Sequence, residues 1–227
     1  MPAVDSPLHE RPTVTAPDPP LVRDERLVPC PALGSTSWSN RGTPSRRWIS
    51  RPGPRSLRWW SATTVSSAAA GAMGFHPKGS WTDVAQKRAA KEQRVREGKA
   101  HATLVFDGED CVGWCQFGAP REVPRIKNRA AYEKGRTTSP DWRIACCHAG
   151  KGLRRQGVAT AALAGAIDLI AGLGGGTVEG YPEDASSVPA GFLYNGALST
   201  YEKLGFICDR KIGKHRWVVT RVVEPRS

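Results

Sequence analysis

The run DWRIACCHAGKGLRRQGVATAALAGAIDLIAGL, Asp141 to Leu173, limits the fold of this chain more than any other stretch. It opens with a short apolar segment, DWRIACCHA, that reads as a buried strand. Gly150-Lys151-Gly152 breaks that strand. Val158 to Leu173 then reads as a helix, stopped by Gly174-Gly175-Gly176. TVEGYP follows as another short strand. Strand, glycine-containing loop, helix and strand in that order predict an α/β sheet.

The neighbouring segments extend it. SWTDVAQKRAAKEQRVREG has a capping-box pattern, with Ser80 as N-cap, Asp83 three residues on and Gly98 as the stop. ATLVF and CVGWCQF read as two strands joined by a tight turn at Asp107-Gly108. A polar, proline-punctuated stretch runs from Ala119 to Pro140. FLYNGALSTYEKLG reads as a second helix, ended by Gly205. FICDR and HRWVVTRVV close the chain as strands around a turn at Gly213. The expected sheet is part antiparallel and part parallel, and the sequence shows no internal repeat.

Upstream the character changes. Residues 1–74 contain no Lys and no Tyr, and Arg, Pro, Ser and Ala dominate them. Prolines recur too often for regular elements, so no helix or strand is expected there. Three readings stand open for this segment. It is a disordered arginine-rich tail. It is a nucleic-acid-binding arm, with Arg on phosphates and Trp38, Trp48, Trp59 and Trp60 stacking on bases. Or it is not a native coding product, as a wrong start or a shifted frame in GC-rich DNA would give this composition. The division is therefore 1–74 and 75–227.

The 227 residues are 39% hydrophobic and 24% charged, as in a soluble globular protein. The net charge of +12 suggests an anionic partner: nucleic acid, phospholipid or a phosphate-bearing cofactor. No apolar run reaches the ~18 residues a membrane span needs, so no membrane partner is expected. The N-terminus lacks the apolar core of a signal peptide, which predicts a cytoplasmic protein whose six cysteines are reduced thiols. Cys111 and Cys115, four apart on one strand, are expected on one face. Adjacent Cys146 and Cys147 point to opposite faces and cannot easily share one metal. The zinc spacings are missing, and no metal is expected.

LRRQGVATAAL can now be placed. The first turn of a helix leaves backbone N–H groups unpaired at the positive end of the helix dipole, which suits phosphate. Gly157 lets a phosphate approach without a Cβ in the way, and Ala159 keeps the next contact slim. Arg154 and Arg155 add donors matched to phosphate oxygens. The pattern is neither a Walker loop nor GxGxxG. The plain alternative is a helix start with solvated arginines.

This segment resembles motif A of the GNAT acyltransferase superfamily, Q/R-x-x-G-x-G/A, at Arg154, Gly157 and Ala159. TYEKLGF, Thr200 to Phe206, resembles the superfamily's later hallmark, a helix ending in a tyrosine and a GF pair. VEGYP lies between them, where the fifth strand would be, and the hairpin ATLVF…CVGWCQF precedes them as strands two and three. The resemblance covers about residues 75–227. It implies a mixed α/β sheet, mostly antiparallel with a splayed parallel central pair, flanked by helices. It also implies transfer of an acetyl group from acetyl-CoA to an amine, without a covalent enzyme intermediate.

Site residues follow from the resemblance one by one. The end of the fourth strand, with Cys147, His148 and Ala149, would pair with the pantetheine arm, and its N–H groups would polarise the thioester carbonyl. The pyrophosphate would lie on amides of Arg155, Gln156, Gly157, Val158, Ala159 and Thr160, with Arg154 beside them. Tyr201 matches the tyrosine that protonates the departing thiolate; its alternative is a packed tyrosine at a helix end. Asn195, six residues earlier where seven is the familiar spacing, would contact the CoA arm. Glu179 is the first candidate for the base that takes the amine's proton, with Asp141 and His148 behind it. Arg121, Glu122 and Arg125 would line the acceptor site.

A complete member has a first strand and one or two helices ahead of SWTDVAQKRAAKEQ, and residues before Phe75 do not read as those elements. Without an edge strand the sheet would expose unpaired backbone. A fold of the tail that the pattern hides, a homodimer, or a damaged version of an intact enzyme are the open outcomes. The expected function is an N-acetyltransferase with a small-molecule or protein amine as acceptor. A basic nucleic-acid-binding protein and a catalytically inactive CoA-binding relative are the alternatives, nucleic acid being the less favoured partner.

Overall fold

A computed structural model describes residues 49–52, 72–108, 110–186, 188–189 and 193–226. Trp38, Trp48, Trp59 and Trp60, proposed above for base stacking, lie outside them. Seven strands form one sheet in the order β1-β2-β3-β4-β5-β7-β6. They are β1 (Ile49–Pro52), β2 (His101–Asp107), β3 (Asp110–Gly118), β4 (Trp142–Ala149), β5 (Gly176–Gly180), β6 (Ile207–Lys211) and β7 (Trp217–Val223). Among the described residues four α-helices accompany them: α1 (Val84–Arg96), α2 (Arg129–Lys134), α3 (Val158–Gly172) and α4 (Leu198–Glu202). The pair β4–β5 is parallel and every other neighbouring pair is antiparallel. This is the mixed sheet, mostly antiparallel with one parallel central pair, that the resemblance implies.

Helix α3 explains the main core. Val158, Ala162, Leu163, Ala166, Ile167 and Ile170 are buried along it, a stripe with helical spacing. Its alanines let it lie close across β2, β3 and β4. One apolar cluster results, joining Val105, Cys115, Ile144, Cys147, Val178, Tyr201, Phe206 and Val219 to the helix. The other side of the sheet has two smaller clusters, one around Leu104, Trp114 and Cys146 and one around Tyr132, Tyr181, Ile212 and Val218.

Several expectations change. The segment before Phe75 does supply a strand: β1 pairs with β2 from Ile49 opposite Phe106 to Pro52 opposite Thr103. Pro52 is tolerated because β1 is at the sheet's edge. The bare edge that would have called for a dimer is thus covered along these residues. The N-cap of α1 is Asp83, whose carboxylate accepts from the Gln86 N–H at 2.8 Å, and not Ser80. The polar, proline-punctuated stretch Ala119–Pro140, to which the sequence pattern assigns no element, contains α2. The helix expected over residues 192–205 shrinks to α4, Leu198–Glu202.

The cysteines change too. Cys111 and Cys115 are on opposite faces. The register slips between Val105 and Phe106, so that Val105 faces Gly113 while Phe106 faces Cys111. The extra residue, Val112, is a β-bulge, and a bulge reverses the alternation beyond it. Cys146 and Cys147 do face opposite ways, into different clusters. Cys208 is disulfide-bonded, against the expectation of six thiols. Among the described residues no helix is long and apolar enough to cross a membrane, and no group of three or more His, Cys, Asp or Glu is placed to hold a metal.

Candidate active site

Strands β4 and β5 pair only over Trp142–Ile144 and Val178–Gly180. Beyond that they separate, and β4 continues alone toward His148 and Ala149. On its other edge β4 stays paired with β3, Cys115 facing Cys147 and Gly113 facing Ala149. The end of β4 is thus fixed on one side and open on the other.

The loop after β4 leads into α3. Gly157 is the residue before the helix, with φ +86°, a left-handed conformation that favours glycine. Arg155 is left-handed too, at φ +62°. The first helical bond runs from the Ala161 N–H to the Gly157 carbonyl at 2.9 Å. The N–H groups of Val158, Ala159 and Thr160 therefore precede the hydrogen-bond ladder and point out of the helix start. Arg154, Arg155, Gln156 and Gly157 are exposed around them. The Gln156 amide is tied back to the Gly152 carbonyl at 2.9 Å. Val158 packs against Gly113, where a Cβ would also crowd the His148 carbonyl. The helix start and the end of β4 therefore both border Gly113.

On the opposite side of the sheet a cavity of about 620 Å³ has Trp114, Cys146, His148 and Tyr194 in its wall, with Phe75, Arg125 and Lys127 at its margin. His148 lies beside Trp114, ring centroids 6.1 Å apart. Its pKa is lowered, first by burial and then by the Arg154 charge, so the ring is neutral at pH 7 and can accept a proton. Burial pushes the Cys146 thiol up to about 12, which leaves no thiolate to act as a nucleophile.

The gap between β4 and the chain after β5 is filled by Tyr194, Asn195 and Gly196. The Cys147 N–H donates to the Tyr194 carbonyl at 2.8 Å, and the Asn195 side-chain amide donates to the Ala145 carbonyl at 2.8 Å. Gly196 accepts from the Glu183 N–H at 3.1 Å. Asn195 is thus in a turn before α4, not on a helix, and faces β4. The Cys147 N–H is already engaged. By the alternation of an antiparallel pair, the Ala149 N–H is directed to the same open edge. Tyr201 is wholly buried against Phe206, and its hydroxyl donates to the Asn195 carbonyl at 2.9 Å. Burial and then the nearby Cys147 hold its pKa well above the ordinary tyrosine value, so it stays protonated.

Glu179 is 4% exposed and does not line the cavity. Tyr132 and Tyr181 both donate to its Oε2, at 2.9 and 2.6 Å. Arg143, beside it across the β4–β5 pair, donates to the Tyr132 hydroxyl at 3.2 Å. Asp141 stands at the opposite end of β4, its carboxylate accepting from the Thr177 N–H. Of the residues after β3, Arg125 reaches the cavity. Glu122 instead accepts from the Ala119 N–H and faces His101, and Arg121 is exposed.

A buried polar cluster behind the cavity wall has no counterpart among the expected site residues. Lys91 of α1 is 3% exposed. Its ammonium donates to His76 Nε2 at 2.7 Å, and so does the Gln116 amide at 2.8 Å, while His76 Nδ1–H donates to the Glu122 carbonyl at 2.9 Å. Among the described residues no carboxylate joins them. Burial foremost lowers Lys91 to about 7 and His76 to about 3. A lysine in an otherwise polar helix gives no signal of this. Trp114 and Lys127 are also absent from the sequence-based set, though the alternation of CVGWCQF is a signal that could have flagged Trp114.

Neither family models nor curated proteins match this sequence. Solved structures similar to it include a GNAT-family protein from Desulfovibrio desulfuricans, at 12% identity, TM-score 0.47, covering 78% of this chain and 99% of the other. Another is the ribosomal-protein-S18-alanine N-acetyltransferase of Escherichia coli, at 12% identity, TM-score 0.44, covering 80% and 97%. A third is the yncA protein of Salmonella typhimurium, solved with its cofactor acetyl-CoA, at 14% identity, TM-score 0.47, covering 79% and 96%.

Proposed function

We propose that the chain is an N-acetyltransferase that moves an acetyl group from acetyl-CoA to an amine by direct attack. One observation carries the reading: the end of β4 and the start of α3 both border Gly113, and β4 also lines the cavity through Cys146 and His148. A phosphate-bearing donor and an amine acceptor would meet there from opposite sides of the sheet.

The residues fit the donor at the helix start. The amides of Val158, Ala159 and Thr160 would hold its pyrophosphate, with Arg154 and Arg155 alongside and no Cβ at Gly157. The open edge at Ala149 would take the upper part of the arm. The contacts expected at Cys147 and Asn195 become available only when residues 194–196 withdraw from β4.

In the reaction the amine nitrogen attacks the thioester carbonyl carbon, the C–N bond forms and the C–S bond breaks. The nitrogen's proton goes to His148, which is neutral and in the cavity wall. Glu179, enclosed by two tyrosines, is assigned to hold the frame and not to touch the amine. Tyr201 supplies the proton for the leaving thiolate, and its hydroxyl is freed by the same withdrawal of Asn195. Cys146, kept as a thiol, forms no acyl intermediate.

Thermal unfolding with and without excess acetyl-CoA, at low and high salt, tests the donor site. A ligand that binds only the folded state raises the midpoint. The expected result is a salt-tolerant rise that Gly157→Glu abolishes. No shift in a cooperatively folding sample would sink the assignment. Binding to nucleic acid instead would weaken steeply with salt.

A further inference from the structure

We propose that the cavity selects an acceptor whose apolar body carries a carboxylate, held by Arg125, Lys127 and the Trp114 indole N–H. The identification of this ligand as the acceptor rests on the acetyl-transfer reading; the binding itself does not.

Three observations converge on an anion. First, Arg125 and Lys127 both border the cavity, and no ion pair engages either among the described residues. Arg216, also in the lining, is committed elsewhere: its Nε donates to Glu183 Oε1 at 2.9 Å. Among the described residues no carboxylate lines this cavity. Second, Trp114 is 5% exposed, and its Nε1–H is buried without a partner. A buried donor left unpaired is costly, and native structures rarely keep one without a use. Third, tryptophan, arginine and lysine only donate hydrogen bonds. The group that satisfies all three must accept, and an ionised carboxylate does so with a charge opposite to that of Arg125 and Lys127.

The rest of the lining sets the body of the ligand. Phe75, Ile126, Trp114 and Tyr194 give an apolar surround, suited to an aromatic or branched aliphatic group. His148 is in the same wall and would receive the amine. A ligand with amine, apolar body and carboxylate fits donors and base together. A polyamine, with cations at both ends, would face Arg125 and Lys127 with like charge.

The test uses the full chain and two probes that differ only in charge, 3-phenylpropionate and 3-phenylpropionamide, titrated by calorimetry. Exposed charge contacts contribute at most about fivefold in affinity each. Two of them with the indole donor predict that the acid binds about tenfold more tightly than the amide. The double variant Arg125→Ala, Lys127→Ala should remove most of that preference and leave amide binding in place. Equal binding of acid and amide, binding of neither up to about 10 mM, a range set by the ~4 kcal/mol expected of a millimolar ligand, or an unaltered preference in the double variant would overturn the proposal.

A second arm separates the two readings. CoA release from acetyl-CoA is followed with phenylalanine and with phenethylamine. Faster release with phenylalanine, lost in the double variant, supports both. Acid-selective binding with no release from any amine leaves the carboxylate site standing and removes the transfer reading. Faster release with phenethylamine keeps the transfer and overturns the selectivity.

Discussion

On its α3 side the sheet buries one unbroken apolar cluster, from Val105 and Cys115 through Leu163 and Ile170 to Phe206 and Val223. On the other side the buried groups are divided among two small clusters and two hydrogen-bonded networks, Lys91–His76–Gln116 and Arg143–Tyr132–Glu179–Tyr181. Apolar burial is non-directional and tolerates close packing, so the first side can be filled by an alanine-rich helix. Charged groups need partners in fixed directions, and each costs stability unless paired. The first side therefore holds the fold together. The second gives up stability for groups that can titrate and donate, and the cavity is on that side.

The sharpest break of this comparison is in the large core. Leu163→Ala should lower stability by about 2–5 kcal/mol, because Leu163 is fully buried and the rigid sheet collapses little around the loss. Urea unfolding measures it, and a loss below about 1 kcal/mol would contradict a core that carries the fold.

The next effect has the opposite sign. Lys91 titrates near 7 folded and near 10.5 unfolded. Below pH 7 both states hold the proton and the penalty is complete. Between about 7 and 10.5 the unfolded chain binds more protons, so stability rises with pH. Lys91→Met should be more stable than the wild type below pH 7, by an amount on the order of a few kcal/mol, and the gap should narrow toward pH 10. His76 keeps the Gln116 donor in that variant. A gap that does not change with pH would show that Lys91 is not buried charged.

Smaller in free energy is the loss at His148. His148→Ala should lower kcat by about a hundredfold and leave the unfolding midpoint within the scatter of a surface change. In the wild type kcat/KM should rise with pH through an apparent pKa below the ordinary 6.5 and then level off, since the folded ring is neutral above its lowered value. A profile unchanged in the variant would transfer the proton to another group. Least of all, Arg154→Ala with Arg155→Ala should change stability by under about 0.5 kcal/mol, both being exposed. Their effect should appear in the acetyl-CoA affinity and shrink as salt rises.

Most of the first side is legible in the amino-acid sequence. The α3 stripe, the glycine stop and the strand ahead of it are local patterns, and local patterns survive folding. The hairpin at Gly108 is legible for the same reason. What the pattern gets wrong is set by distant partners. Residues 193–197 carry Asn195-Gly196, weak helix formers, and β4 and Glu183 take the backbone groups of this segment, so the helix starts only at Leu198. The bulge at Val112 is invisible to a period-two count, so that count puts Cys111 on the wrong face. Ser80 loses the cap to Asp83 because a capping side chain must reach the N–H three residues on, and the helix begins at Val84. At the site, the glycine and arginines ahead of α3 are readable, being contiguous. The cavity's donors come from β3 and from the loop after it, and nothing in the spacing of Trp114, Arg125 and Lys127 announces that they line one cavity.

Residues 194–196 have one further consequence. They occupy the edge of β4 at Ala145 and Cys147, where the Ala145 carbonyl and the Cys147 N–H already have partners. A guest that settles in this groove must substitute for at least two protein hydrogen bonds, each contributing about 0.5–1.5 kcal/mol net. Entry is then an exchange of partners, and measured affinity reports a difference between two occupants of one strand. Such a seat discriminates by competition: a ligand too short to replace both bonds leaves the chain's own segment in place.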